Sequence, residues 1–237
     1  MSGEEVVLAF VVMAAGGLLQ GAVGFGSNLI AAPLLLLIDE SFVPAPVVVA
    51  SLVLNTLMIL REGRGAFDPT VNTAMIAQVP GAVLAGLVLA SLPQRHLSLL
   101  FAALVIVAVA VSSAGWHLRP TRGTLTGAGV AAGFMGTISG IGGPPIALVY
   151  QRSPGPTLRA TLSRFFLVGG VVSLVVLALS GRVDGDTVGA SAITVPACVA
   201  GFLVSAPLAR RLDRRSIRPY VLTLSAIAAL AVVIREL

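Results

Sequence analysis

Long apolar blocks separated by short polar gaps fill this chain. In the first half they cover 6–19, 29–38, 44–60, 71–92 and 97–118, and the last three contain no Asp, Glu, Lys or Arg. At a rise of about 1.5 Å per residue, a helix of about 20 residues crosses the roughly 30 Å hydrocarbon core of a bilayer. The second half repeats the order with blocks at 124–135, 146–150, 158–180, 187–209 and 219–234. In each half the first long block dissolves into a glycine-rich stretch before a short block follows. These stretches are Gln20-Gly-Ala-Val-Gly-Phe-Gly-Ser-Asn28 and Gly136-Thr-Ile-Ser-Gly-Ile-Gly-Gly-Pro-Pro145. The pattern predicts an all-α integral membrane protein in which each half is a broken or re-entrant helical hairpin followed by three transmembrane helices.

The halves also agree residue by residue. A displacement of 116 superposes Gly17 on Gly133, Gly24 on Gly140, Gly26 on Gly142, Ile30 on Ile146 and Ala31 on Ala147. It also superposes Gly65 on Gly181, Asp68 on Asp184, Val79-Pro80 on Val195-Pro196 and Arg95 on Arg211. Shared Gly, Pro, Asp and Arg at one displacement point to a duplication, with repeats at 1–118 and 119–237 forming one membrane domain. On this register Thr194, beside Pro196, is the counterpart of Gln78.

Composition removes other classes. Of 237 residues, 57% are hydrophobic and 11% charged, with mean hydropathy +1.00, whereas a soluble domain carries about 25% charged residues. Soluble enzyme, nucleic-acid binder and disulfide scaffold are thereby excluded, the last because Cys198 stands alone. Cys198 itself reads as a small buried residue. The net charge of +5 comes from fifteen basic residues, all Arg, which sit mostly in the gaps between apolar blocks. That is where topology determinants and headgroup anchors belong, not a nucleic-acid footprint. Glu4 and Glu5, with no nearby Lys or Arg, give the N-terminus no signal-peptide n-region, so the first block reads as retained.

Loop charge gives an orientation. Arg61 and Arg64, Arg119 and Arg122, Arg152 and Arg159, and the cluster Arg210, Arg211, Arg214, Arg215 and Arg218 mark cytoplasmic gaps. The gaps holding Asp39-Glu40 and Asp184-Asp186 then lie outside, as do both termini. An odd number of crossings per half makes the two repeats inverted. Tyr150, Trp116 and His117 fall at block ends and read as interfacial anchors.

Backbone broken inside a bilayer is tolerated only where it is buried in protein or lines a wet cavity. Paired breaks in inverted halves are the sequence mark of a transporter's central site. The limbs beginning near Leu29 and Ile146 would aim helix N-termini, which favour anions, at that site. Pro144 and Pro145 suit a first helical turn, where a missing N–H does no harm. Candidate binding residues in the breaks are Gln20, Gly24, Phe25, Gly26, Ser27, Asn28, Ser139, Gly140, Gly142 and Gly143; Asn55 and Gln78 join them from deep within later blocks. The glycines follow no strand and have no acidic partner downstream, so they are not a dinucleotide fingerprint.

These residues resemble the TauE/SafE family. The resemblance rests on Gly21-Ala-Val-Gly-Phe-Gly with Ala32-Pro33, on Gly136-Thr-Ile-Ser-Gly-Ile-Gly-Gly-Pro-Pro, and on the pairs Gly65/Asp68 and Gly181/Asp184. It implies a bacterial inner-membrane carrier exporting sulfite, sulfoacetate or related organosulfonates. The hairpins carry none of the cysteines used by the related thiosulfate-uptake branch. A sulfonate presents three acceptor oxygens, for which Arg is the natural counter-charge. Arg164, about a turn and a half into its block, is the leading candidate contact, ahead of Arg159 nearer the surface.

No carboxylate or central His offers a proton relay, and no cofactor or metal motif is present. Export of an anion from a negative-inside cell needs neither, so uniport or exchange by alternating access is expected. The alternatives are an anion-selective channel and a permease for a carboxylate or other small anion. An intramembrane enzyme lacks its Ser/His pair, HExxH or paired carboxylates. The expected partners are a small anion and the lipid bilayer, and Gly/Ala helix faces would serve packing within one chain or in a homodimer alike.

Overall fold

The computed structural model describes residues 2–63, 67–113 and 118–212, with single positions at 227, 230 and 234 beyond them. Arg64, Gly65, Trp116, His117, the arginines at 214, 215 and 218, and most of the expected last span lie outside the described residues. The described chain folds as α1 (Gly3–Val23), α2 (Ser27–Ile38), a 3₁₀ turn (Glu40–Phe42), α3 (Ala45–Glu62), α4 (Val71–Ser91) and α5 (Gln94–Ser113). It continues as α6 (Arg122–Ser139), α7 (Gly143–Tyr150), α8 (Gly155–Leu179) and α9 (Gly185–Leu212), with no strand among the described residues. Stretches long and apolar enough to span a bilayer lie in α1, α3, α4, α5, α8 and α9. Large apolar side chains such as Ile76, Leu87, Val171 and Leu203 are exposed on the outside of the bundle, where a bilayer would cover them.

Both breaks are narrower than the glycine-rich stretches suggested. Helix α1 runs on to Val23 and α6 to Ser139, so Gly21 and Gly136 are helical. One left-handed glycine ends each helix: Gly24 at φ 103° and Gly140 at φ 72°, whose N–H groups bond the carbonyls of Gln20 and Gly136. L-residues with a Cβ rarely take this conformation. The short limbs α2 and α7 have 12 and 8 residues, about 18 and 12 Å long, well short of the hydrocarbon core. Pro144 and Pro145 do sit in the first turn of α7.

Three helix pairs carry the packing: α1 on α9, α4 on α6, and α3 on α8. Glycine sets the first two. The Gly17 Cα lies against the Cys198 carbonyl and that of Gly133 against the Gln78 carbonyl, while Gly201 faces the Ala14 carbonyl and Gly81 that of Val130. Any Cβ at these four positions would fall inside the facing backbone oxygen. The same contact thus recurs in both halves, at a displacement of 116 for Gly17/Gly133 and 120 for Gln78/Cys198 and Gly81/Gly201. In these contacts Cys198 in α9, and not Thr194 as expected from the displacement of 116, takes the place that Gln78 takes in α4. A slip of four residues is about one helical turn and keeps the same face inward. Cys198 is buried, 1% exposed. Tyr150, expected at an interface, is instead buried, and its hydroxyl pairs with Thr70 Oγ1 at 2.8 Å.

The Gly-x-x-Asp motif of the second half is a turn between helices. Gly181 has φ 69°, and the Asp184 carboxylate accepts from the Thr187 N–H and hydroxyl, both at 2.9 Å. Those two donors hold the Asp184 carboxyl below its usual range. In the first half Asp68 likewise accepts from the Thr70 N–H and hydroxyl at the start of α4.

Candidate functional site

The two breaks face one another across a cavity of about 70 Å³, room for on the order of five water molecules. Gly26 is the N-cap of α2 and Gly142 that of α7, and neither start has a side-chain cap. The first-turn N–H groups of a helix have no partner within it. Gly26, Ser27, Asn28, Gly142 and Gly143 line the cavity, so both uncapped starts meet there. Pro144 and Pro145 carry no N–H, which leaves Gly142 and Gly143 as the donors α7 presents.

The first half supplies a continuous polar network. Gln20 Nε2 donates to Asn55 Oδ1 at 3.0 Å, and Asn55 Nδ2 donates to the Ser51 carbonyl at 2.7 Å. The Ser27 hydroxyl meets Gln20 Oε1 at 2.5 Å and Asn28 Oδ1 at 2.9 Å. Asn28 Nδ2 reaches Ser51 Oγ at 2.8 Å and, across the cavity, the Gly140 carbonyl at 2.9 Å. That last bond ties one break to the other. Gln20, Ser27, Asn28 and Asn55 are all buried.

Gln78 enters from α4 and differs from them. It is 2% exposed, it lines the cavity, and its Nε2 has no hydrogen-bond partner among the described residues. A buried donor left unpaired costs about 1–3 kcal/mol, which makes it a place where a bound acceptor would be stabilised. Gly169 on α8 leaves room for the carboxamide, since a Cβ there would collide with Gln78 Oε1.

Of the residues expected at the site, Gln20, Phe25, Gly26, Ser27, Asn28, Asn55, Gln78, Gly140, Gly142 and Gly143 line this cavity. Gly24, Ser139 and Arg164 do not. Gly24 packs under the Arg159 side chain. Ser139 caps the first break-residue turn, donating to the Met135 carbonyl at 2.7 Å and accepting from the Ile141 N–H at 3.3 Å. Arg164 lies over the Phe67 ring, 4.5 Å from its centroid, with Nη2 at 3.4 Å from the Gly63 carbonyl.

Sequence reasoning missed Ser51, Ser173 and the pair Gly169-Gly170, which also line the cavity. Ser51 lies four residues before Asn55, and the stripe Phe166, Gly169 or Gly170, Ser173 has helical spacing. Those spacings were the available signal. Glu62 was missed too. Its carboxylate pairs with Arg159 Nε at 2.9 Å and with Arg61 Nη2 at 3.2 Å, while Arg61 also reaches the Ser205 hydroxyl and the Gly21 carbonyl. This cluster stands where α3 ends and α8 begins. At the opposite ends of those helices a vestibule of about 310 Å³ is lined by Glu40, Pro44, Leu97, Arg182 and Asp184 among others.

Compared with known proteins, the chain matches the family model described as Sulfite exporter TauE/SafE over residues 8–232. No curated protein and no solved structure matches it.

Proposed function

The chain belongs to the TauE/SafE sulfite exporter family, and from that premise we propose that it carries a small sulfur oxoanion, sulfite or a compact sulfonate, through the cavity between its two broken hairpins. One observation carries this reading: the unpaired Gln78 Nε2 shares one cavity with two uncapped helix starts. All three offer positive ends of N–H dipoles, the right environment for anionic oxygens. The cavity's size suits an ion of a few heavy atoms better than a long sulfonate.

The recurring glycine contacts support two repeats, and the loop arginines support inverted halves with the Arg61/Glu62/Arg159/Arg164 cluster on the cytoplasmic side of a bacterial inner membrane. On that orientation three guanidinium groups and one carboxylate give a net positive mouth, which raises the local concentration of anions. The Glu62–Arg159 pair joins α3 to α8 there and would serve as a latch on the cytoplasmic side. The vestibule lies toward the opposite ends of the same helices. Rocking of the α3/α8 contact would exchange access between the two. Export needs no coupling ion, because one negative charge leaving a negative-inside cell gains about 2.3 kcal/mol per 100 mV.

The test is flux through purified protein in proteoliposomes, with potential and pH gradient set independently. Saturable sulfite flux with counterflow, following potential and indifferent to imposed sodium, is expected, and sulfate and chloride should move at least tenfold more slowly. Linear, counterflow-free conduction would make the protein a channel. Flux that requires a sodium gradient would contradict the uncoupled mechanism.

A further inference from the structure

The hydrogen atoms of the polar network do not balance, and the imbalance says which protonation state of the ion fits. Asn55 Nδ2 donates to the Ser51 carbonyl, an acceptor only, so Asn55 Oδ1 is the atom facing Gln20, whose Nε2 must donate to it. Gln20 therefore turns Oε1 toward Ser27. Asn28 Nδ2 is fixed in the same way by the Gly140 carbonyl, which turns Asn28 Oδ1 toward Ser27 as well. Two carboxamide oxygens thus meet one hydroxyl, and a serine has one proton to give. One buried acceptor is left short of a donor on this wall of the cavity. On the α4 wall, Gln78 Nε2 is a buried donor short of an acceptor.

The charge of the lining points the same way. No Asp, Glu, Arg or His among the described residues lines the cavity. Charged groups among the described residues stand instead at the helix ends: Arg61 and Glu62 with Arg159 and Arg164 where α3 ends and α8 begins, and Glu40, Arg182, Asp184 and Asp186 around the vestibule. A lining of dipoles stabilises one negative charge better than two, because the cost of desolvating an ion grows with the square of its charge, roughly fourfold for a dianion.

Resting on the proposed transport of a sulfur oxoanion, we infer that the species bound is a monoanion that keeps one O–H. Its anionic oxygens accept from Gln78 Nε2 and the two helix starts, and its O–H donates to whichever of Gln20 Oε1 or Asn28 Oδ1 the Ser27 proton does not serve. Hydrogen sulfite has this form. Sulfite dianion lacks the proton and carries the second charge, and a sulfonate has the single charge but no O–H. Each ion carried out takes one proton with it, released when the ion dissociates in a more alkaline medium, with no relay residue required.

The experiment is uptake of sulfite into proteoliposomes at clamped potential between pH 6 and pH 8.5, with protein-free vesicles measured alongside to subtract passive entry. If hydrogen sulfite is the substrate, the KM expressed as total sulfite rises about tenfold per pH unit above the ion's protonation midpoint while kcat holds steady. Methanesulfonate, of similar shape and fixed charge, should inhibit at least tenfold more weakly than hydrogen sulfite. Its inhibition constant should not move with pH, which separates titration of the ion from titration of the protein. A KM that is flat or falls with pH, or methanesulfonate competing as well as hydrogen sulfite, overturns the inference while leaving sulfite transport standing. Absence of sulfite flux at every pH removes both.

Discussion

Gly201→Ala is expected to lower the melting temperature of the purified protein by roughly 10 °C or more, or to leave none to purify. A Cβ at this position falls inside the carbonyl oxygen of Ala14, and its next neighbours are the Ala14 carbonyl carbon and the Leu18 nitrogen. All three are backbone atoms, so no side chain can turn aside and α9 has to move off α1 along the most extensive helix contact among the described residues. Overpacking costs about 1–3 kcal/mol where side chains absorb it and more where the backbone must shift, and for a chain of this size about 3 kcal/mol corresponds to some 10 °C. Gly81→Ala, which meets the Val130 carbonyl in the other half, should fail to a similar degree. Gly189→Ala is the control: it lies on the same helix with open space around it and should be neutral or stabilise by up to about 1 kcal/mol through helix propensity. Thermal unfolding in detergent distinguishes the three. Equal stability of Gly201→Ala and Gly189→Ala would mean that α1 and α9 do not pack as described.

Gln78→Leu should separate stability from transport. The substitution keeps the volume of a side chain that is 2% exposed and removes a donor that has no partner. Removing an unsatisfied buried donor relieves about 1–3 kcal/mol, so the melting temperature should rise or hold. The same change deletes one charge-assisted hydrogen bond to the anion, worth about 1.5–3 kcal/mol, which is about 10- to 100-fold in affinity. Sulfite flux at subsaturating concentration should fall by that factor. A variant both unstable and inactive would assign Gln78 a packing role only, and a variant with unchanged flux would remove it from the site.

Much of this arrangement is legible in the residues before any coordinates are consulted, for physical reasons that can be named. Backbone breaks announce themselves because glycine clusters at Gly24–Gly26 and Gly140–Gly143 immediately before short apolar blocks, 29–38 and 146–150, that hold none, and because Gln20, Ser27 and Asn28 are costly in a membrane without partners. Asn55 and Gln78 stand out for the same reason. Ser51 and Ser173 do not, since a lone serine in an apolar helix usually bonds its own turn and costs little. Gly81, Gly133 and Gly201 are ambiguous in one dimension: their meaning as close-approach points depends on which helix faces them, and the α1/α9 and α4/α6 pairings join segments far apart in sequence. The displacement of 120 that relates Gln78 to Cys198 and Gly81 to Gly201 in these contacts is hidden for that reason too.

Arg164 shows the limit from the other side. Charge complementarity alone nominates it for the anion, and its position in the block is right. In the folded chain the ring of Phe67 and the carbonyl of Gly63 hold its guanidinium outside the cavity. The residue that organises this end is Glu62, whose sign is visible in the sequence but whose partner, Arg159, comes from a helix nearly a hundred residues away.

The central claim is that the anion sits between the two helix starts, and locating a bound ion tests it most directly. Selenite, a heavier trioxoanion of the same shape as sulfite, gives an anomalous signal in crystals of the full chain. The expected peak lies in the cavity between Ser27 and Gly143, within hydrogen-bond reach of Gln78 Nε2, and it is lost in crystals of Gln78→Leu at the same selenite concentration. A peak at Arg61, Arg159 and Arg164 with the cavity empty would contradict the account and move the binding site to the charged cluster at the end of α3.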